Sequence, residues 1–205
     1  MNQLTILSTA YLAPVQYYSK LKNYPNAIIE HCEHFPKQTY RSRCDIYSPN
    51  GTLTLSVPLI KRSERKAMKD LKIMYDYEWQ KLHWRSLESC YRRSPFFEYY
   101  EDDFYSFYHD KKFEFLIDLN EALQQTILSL LKLKINYNFS TEYHKTYTDA
   151  DDFRTIISPK ESVESDTDFI PKPYSQVFDT NHGFIPNLSI VDLLFNQGSR
   201  ALDYI

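Results

Sequence analysis

The chain has 205 residues with 24 Lys and Arg against 27 Asp and Glu, and a net charge of −3 gives no general field for nucleic acid or an anionic membrane. No apolar run approaches the roughly 18 residues that span a bilayer, and the opening MNQLTILSTAYLAPVQYY has no basic start, so neither a transmembrane segment nor a cleaved signal peptide is expected. Only three glycines occur, which excludes a Walker A loop and a dinucleotide fingerprint, because both need several residues free to take positive φ beside a phosphate.

Residues 3–8 read as a short buried strand. Pro14 then suits a first helical turn, and Val15, Tyr18, Leu21 and Tyr24 recur at helical spacing up to Pro25. A second short strand follows at 27–31, so the opening is a βαβ unit with parallel strands. Residues 37–48 look extended, Pro49-Asn50-Gly51 is a turn, and 52–60 alternate, with Leu53, Leu55 and Val57 on one face; this pair reads as a hairpin. Helical periodicity then marks 77–93, an aromatic helix from Pro95 to Tyr108, and a third helix over 112–134. A short helix is expected over 148–157 and a loop over 158–169. Ser189-Ile190-Val191-Asp192 opens a last short helix that Gly198 ends.

The expected fold is α/β: an N-terminal βαβ unit with a small mixed sheet and hairpin, packed on a helical C-terminal half. It forms a single domain over 1–205, with an α/β part at 1–75 and a mainly helical part at 76–205. The cysteines Cys32, Cys44 and Cys90 are odd in number and far apart, which fits free thiols in a reducing, cytoplasmic compartment.

For chemistry, the informative stretch is Lys37-Gln38-Thr39-Tyr40-Arg41-Ser42-Arg43. In an extended strand Lys37, Thr39, Arg41 and Arg43 share one face, and such a cationic ladder needs water or an anion beside it. A second basic run, Lys61 to Lys72, reads as a solvated connection or a phosphate clamp. His31-Cys32-Glu33-His34 is no metal motif, because His31 and His34 point to opposite strand faces and no companion pair follows. Glu30 and His31 sit where the second parallel strand ends, the place where α/β folds bind ligands. His83 falls within a helix and Cys44 lies beside Arg43; packing explains both as readily as catalysis does.

Three stretches together resemble the WbqC-like family of bacterial proteins: residues 11–24 with 34–46 and 53–59, residues 78–104, and residues 171–198. That family is associated with O-antigen and other surface-polysaccharide gene clusters. The resemblance implies a cytoplasmic enzyme, a transferase or ligase, that modifies or transfers a small group on a nucleotide-linked or other anionic sugar. A non-catalytic binding or scaffold protein of a polysaccharide assembly pathway is the alternative, with the aromatic helix 96–108 as a stacking platform. Glu30, His31 and His83 are the candidate catalytic residues. Lys37, Gln38, Arg41, Arg43, Tyr11 and Tyr91 are the candidate substrate- and anion-binding residues, and Gln176, Asn187, Ser189 and Asp192 also match the shared motifs. No nucleic-acid partner is expected, and neither a cofactor nor an oligomeric state is indicated.

Overall fold

A computed structural model describes residues 4–24, 26–60, 66–110 and 112–205. At its centre lies β1 (Leu4–Ser8), whose Ile6 and Leu7 are fully buried. Helix α1 (Val15–Asn23) follows, and β2 (Ala27–Glu30) returns parallel to β1 in the register Thr5–Ala27 to Ser8–Glu30, so the βαβ unit is present. The sheet continues on both sides with parallel strands from much later in the chain. β5 (Tyr137–Phe139) adds to β2, and β6 (Ala150–Asp152) adds to β1, giving the order β5-β2-β1-β6.

The α/β class is as expected, but the mixed sheet separates into two. β3 (Arg43–Ser48) and β4 (Gly51–Ser56) form an antiparallel pair of their own. Its alternation is realised: Leu55 and Val57 are buried, whereas Thr52, Thr54 and Ser56 are exposed. The strand does not extend back to residue 37. Gln38 has φ 60°, and the Thr39 hydroxyl donates to the Pro36 carbonyl, which closes a turn where the alternation required a straight run. The expected helix over 148–157 is also replaced, by β6. Ala-Asp-Asp has little intrinsic preference for a strand, and its conformation is set by pairing with β1.

The helical part contains α2 (Trp79–Tyr91), α3 (Phe97–His109) and α4 (Leu116–Leu130), followed by a single turn, α5 (Asp179–His182), and α6 (Ile190–Gln197). One apolar core joins these helices to the sheet. The division at residue 75 therefore crosses the sheet, because β5 and β6 come from the second part. All three cysteines are free thiols. Residues 61–65 of the second basic run lie outside the described residues.

Ser189 caps α6 by accepting from the Val191 N–H, and Gly198 follows its last turn at φ 56°. A Cβ on Gly198 would come within 2.6 Å of the Phe96 ring, besides being strained at that φ. Gly198→Ala is expected to lower stability by about 1–3 kcal/mol, measurable as a fall in the urea midpoint at unchanged m-value.

Candidate functional site

In parallel α/β sheets ligands bind beyond the carboxyl ends of the strands, where the strand order reverses. Here the chain leaves β1 for β2 on one side, while β6 packs on the other, so the switch point lies between β1 and β6. A small cavity of about 10 Å³, room for one water, lies there, lined by Leu7 to Ala10, Tyr40, Arg41 and Phe153 among others. The turn leaving β1 holds Leu12 at φ 42°, a conformation uncommon for a bulky side chain.

Ionised side chains crowd these strand ends. Arg41 is 4% exposed, and its Nε and Nη2 donate to the Glu33 carboxylate at 2.5 and 2.8 Å, while Nη2 also donates to the Ser8 hydroxyl at 2.5 Å. Glu30 is fully buried. Its Oε1 accepts from the Cys32 and Glu33 N–H groups and the Ser140 hydroxyl, and its Oε2 faces Arg154 Nη1 at 3.4 Å. Arg154 grips Asp152 through Nε and Nη2 at 2.8 and 2.6 Å and lies against the Tyr147 ring. Glu30 thus ties the loop after β2 to the loop after β5, with its acceptor capacity taken up by those donors.

His31 stands at the same edge, half-buried and stacked on Phe139 at 4.3 Å between ring centroids. Burial pushes its pKa down to about 4, against an opposing pull from Glu30, so the ring is neutral at pH 7. Its side chain makes no hydrogen bond to another described residue.

The cationic ladder is not assembled. Lys37 and Gln38 are exposed on the turn, Arg41 points inward to Glu33, and Arg43 opens β3. Arg43 Nε is sealed from solvent without a partner among the described residues, so Arg43 is the arginine of the run with unspent donor capacity.

His83 and Tyr11 do meet, but inside the core. The Tyr11 hydroxyl lies 2.9 Å from His83 Nδ1 and 2.8 Å from the Tyr108 hydroxyl. Burial pushes the His83 pKa down to about 4 and those of Tyr11 and Tyr108 upward, so all three stay neutral at pH 7. The aromatic helix is largely core as well: Phe97, Tyr100, Phe104, Phe107 and Tyr108 are buried, and its exposed rings are Tyr99, at 76%, and Tyr105, which stacks on His109.

Tyr91 also proves internal. Its hydroxyl donates to Asp192 Oδ1 at 2.9 Å and accepts from the Tyr47 N–H. Asp192, fully buried, accepts further from the Tyr174 hydroxyl and Gln176 Nε2 at 2.7 and 2.8 Å. Burial raises its pKa, and these donors partly offset the rise. Asn187 and Ser189 close the start of α1. The Val15 N–H donates to the Leu188 carbonyl, the Gln16 N–H to Asn187 Oδ1, and the Ser189 hydroxyl to the Leu12 carbonyl. A phosphate therefore does not find those two N–H groups free.

The sequence profile of the WbqC-like protein family matches residues 9–167, more than half of the chain. The chain belongs to the WbqC-like protein family. The match takes in the switch-point turn, the Arg41–Glu33 pair, the Tyr11–His83 contact and Tyr91, while Asp192, its partners Tyr174 and Gln176, and the Ser189 cap lie beyond it. This WbqC-like protein is also 24% identical over 227 residues to the uncharacterized protein Rv1507c of Mycobacterium tuberculosis, covering 100% of this chain and 98% of that protein. No solved structure matches it. Among the described residues, no helix is long and apolar enough to cross a membrane, and no three His, Cys, Asp or Glu side chains gather as a metal site.

Glu33, Ser8 and Arg154 are not singled out as site residues in the sequence, because a strand-face reading pairs nothing across 8, 33 or 124 residues. The signal available for Glu33 is its charge: an acidic residue eight positions before Arg41 in a run otherwise read as cationic. Truncating Arg41 strands a buried carboxylate, so Arg41→Ala should cost about 3–5 kcal/mol, read from chemical denaturation. The double change Arg41→Met with Glu33→Leu should recover most of that loss.

His83 adds a pH dependence. The unfolded chain takes up the imidazole proton near pH 6.5 and the folded chain only near pH 4, so unfolding binds the proton between these values and stability falls as the pH drops from about 6.5 to 4. The 2.5-unit gap corresponds to a contribution of about 3 kcal/mol, present above pH 6.5. Urea midpoints across this window should fall in the native chain and fall less steeply in His83→Gln, the remaining slope including the contribution of His31, whose pKa is also lowered to about 4.

Proposed function

We propose that this protein is an enzyme that modifies or transfers a small group on an activated sugar, of the kind used in bacterial surface-polysaccharide synthesis, and that it works at the carboxyl-end crevice between β1 and β6. The observation that carries this reading is the cavity at the switch point, lined by Ser8, Thr9, Tyr40 and Arg41. Arg41 is neutralised by Glu33, so the crevice presents hydroxyl groups more than net charge. The Thr9 hydroxyl accepts from Asn120 Nδ2 and so keeps its proton to donate, and Tyr40 makes no side-chain bond to another described residue. Such a lining suits the hydroxyl groups of a sugar. Arg43, half-buried and without an ion-pair partner among the described residues, and the exposed Lys37 supply cations for the anionic, nucleotide-linked end.

His31 follows β2 at the same carboxyl end of the sheet, on the β5 side of the crevice and outside the cavity lining; with an uncommitted proton acceptor, it takes the acid–base part in the proposal. Glu30 and His83 are positioning residues in this proposal, Glu30 for the loops after β2 and β5 and His83 for Tyr11 beneath the switch-point turn, since their polar atoms are held by internal partners. A sugar is far larger than the present cavity, so its entry requires the strained turn at Leu12 or the segment after β6 to shift. Cytoplasmic action accords with the free thiols.

The test is a thermal-shift series with nucleotide sugars. A ligand at about 100 times its Kd adds about 2.7 kcal/mol, a rise of roughly 5–10 °C for a chain of this size. Tyr40→Phe should keep the ligand-free melting temperature within about 2 °C and lose at least about half of that shift. If no nucleotide sugar raises the melting temperature, or Tyr40→Phe responds like the native chain, the proposal fails.

A further inference from the structure

A roomier cleft lies elsewhere on the molecule. About 400 Å³ of space opens between the α2–α3 turn at residues 93–95, the segment 175–178, and Asn196 near the end of α6. That volume falls within the range of small-molecule sites, about 300–1,000 Å³.

Its chemistry follows from what each lining group has left to offer. Beneath the floor sits the Asp192 carboxylate, with Tyr91, Tyr174 and Gln176 donating to it. Asn196 completes that network: its Nδ2 donates to the Asp192 carbonyl at 2.7 Å and lies 3.4 Å from Oδ1. Both neighbours are acceptors only, so the amide orientation is fixed and Asn196 Oδ1 is turned away from them. This oxygen is neither bonded to another described residue nor sealed from solvent. Gln176 is committed in full, with Oε1 accepting from the Ile185 N–H and Nε2 shared between the Ile185 carbonyl and Asp192. The floor at Gln176 and Asn196 is therefore rigid and presents Asn196 Oδ1 as a fixed acceptor, with Ser94, Ser175 and Asn181 elsewhere in the lining.

At the rim stands Arg93, exposed and paired with no described residue. Pro95, Val177 and Phe178 supply an apolar wall. A free guanidinium, a fixed acceptor and an apolar wall complement an anion, a donor and an apolar body. We propose that this cleft binds an α-amino or α-hydroxy acid with an apolar side chain. Arg93 takes the carboxylate in a two-pronged bond, Asn196 Oδ1 accepts from the α-amino or α-hydroxyl group, and the side chain lies against Val177 and Phe178. The site uses different residues from the switch-point crevice and does not depend on it.

The experiment is isothermal titration of the full chain with L-leucine, its α-hydroxy counterpart, 4-methylpentanoate (no donor) and leucinamide (no carboxylate). Saturable binding of leucine or the hydroxy acid at a Kd of about 1 mM or tighter is expected, and comparing the two tells the amino from the hydroxy source. 4-Methylpentanoate and leucinamide should each bind about tenfold or more weakly, as should leucine to Arg93→Gln, a surface change that leaves the melting temperature intact. Tyr40→Phe should bind like the native chain. Four results overturn the proposal: no saturation by either acid up to about 20 mM, equal binding of 4-methylpentanoate, native affinity in Arg93→Gln, or loss of binding in Tyr40→Phe.

Discussion

The clasp between residues 187–190 and the turn that starts α1 holds the two ends of the chain together. Val15, Gln16 and Ile190 give their N–H groups across it, to Leu188, Asn187 and Ala13, and the Ser189 hydroxyl reaches the Leu12 carbonyl, 177 residues away. These bonds satisfy donors that a helix start otherwise leaves to water. They also brace Leu12 in its left-handed conformation beside the carboxyl end of β1. Ser189 donates in turn from its N–H to the Asp45 carbonyl, so the hairpin is fastened at the same point. The shape of the switch-point turn is thus a property of the C-terminal segment as much as of β1.

Burial governs the electrostatics of both candidate sites. Arg41, Glu33, Glu30 and Arg154 are all withdrawn from water, and each has an opposite charge or a set of N–H and O–H donors beside it. A buried charge without such partners costs several kcal/mol, which is why the arginine nearest the crevice is spent on a carboxylate. The histidines meet the same constraint by giving up their charge: His31 and His83 both titrate near pH 4. What remains for a ligand lies at the edges, in Arg43, Lys37 and Arg93, and in the hydroxyl groups of the crevice.

Several elements were legible because their signals are local. The βαβ opening, the alternation of 52–57 and the Ser189 cap each depend on residues a few positions apart, and each stands in the structure as read. β5 and β6 were not legible, since three-residue strands carry no periodicity and exist only through pairing with β2 and β1. The straight run through 37–43 failed for a local reason that composition hides: Gln38 adopts a positive φ, and one such residue ends the alternation. Tyr11 and His83 were singled out separately, and their contact depends on how α2 packs beneath the turn after β1.

By itself the sequence determined the α/β class, the parallel first pair, the hairpin and the absence of a glycine-rich phosphate loop, because propensity, spacing and composition act along the chain. Only the tertiary structure decided which charges are free. Arg41 is cancelled by Glu33, Arg43 and Arg93 are not, and that outcome depends on partners brought together by folding and on how much water each pair loses.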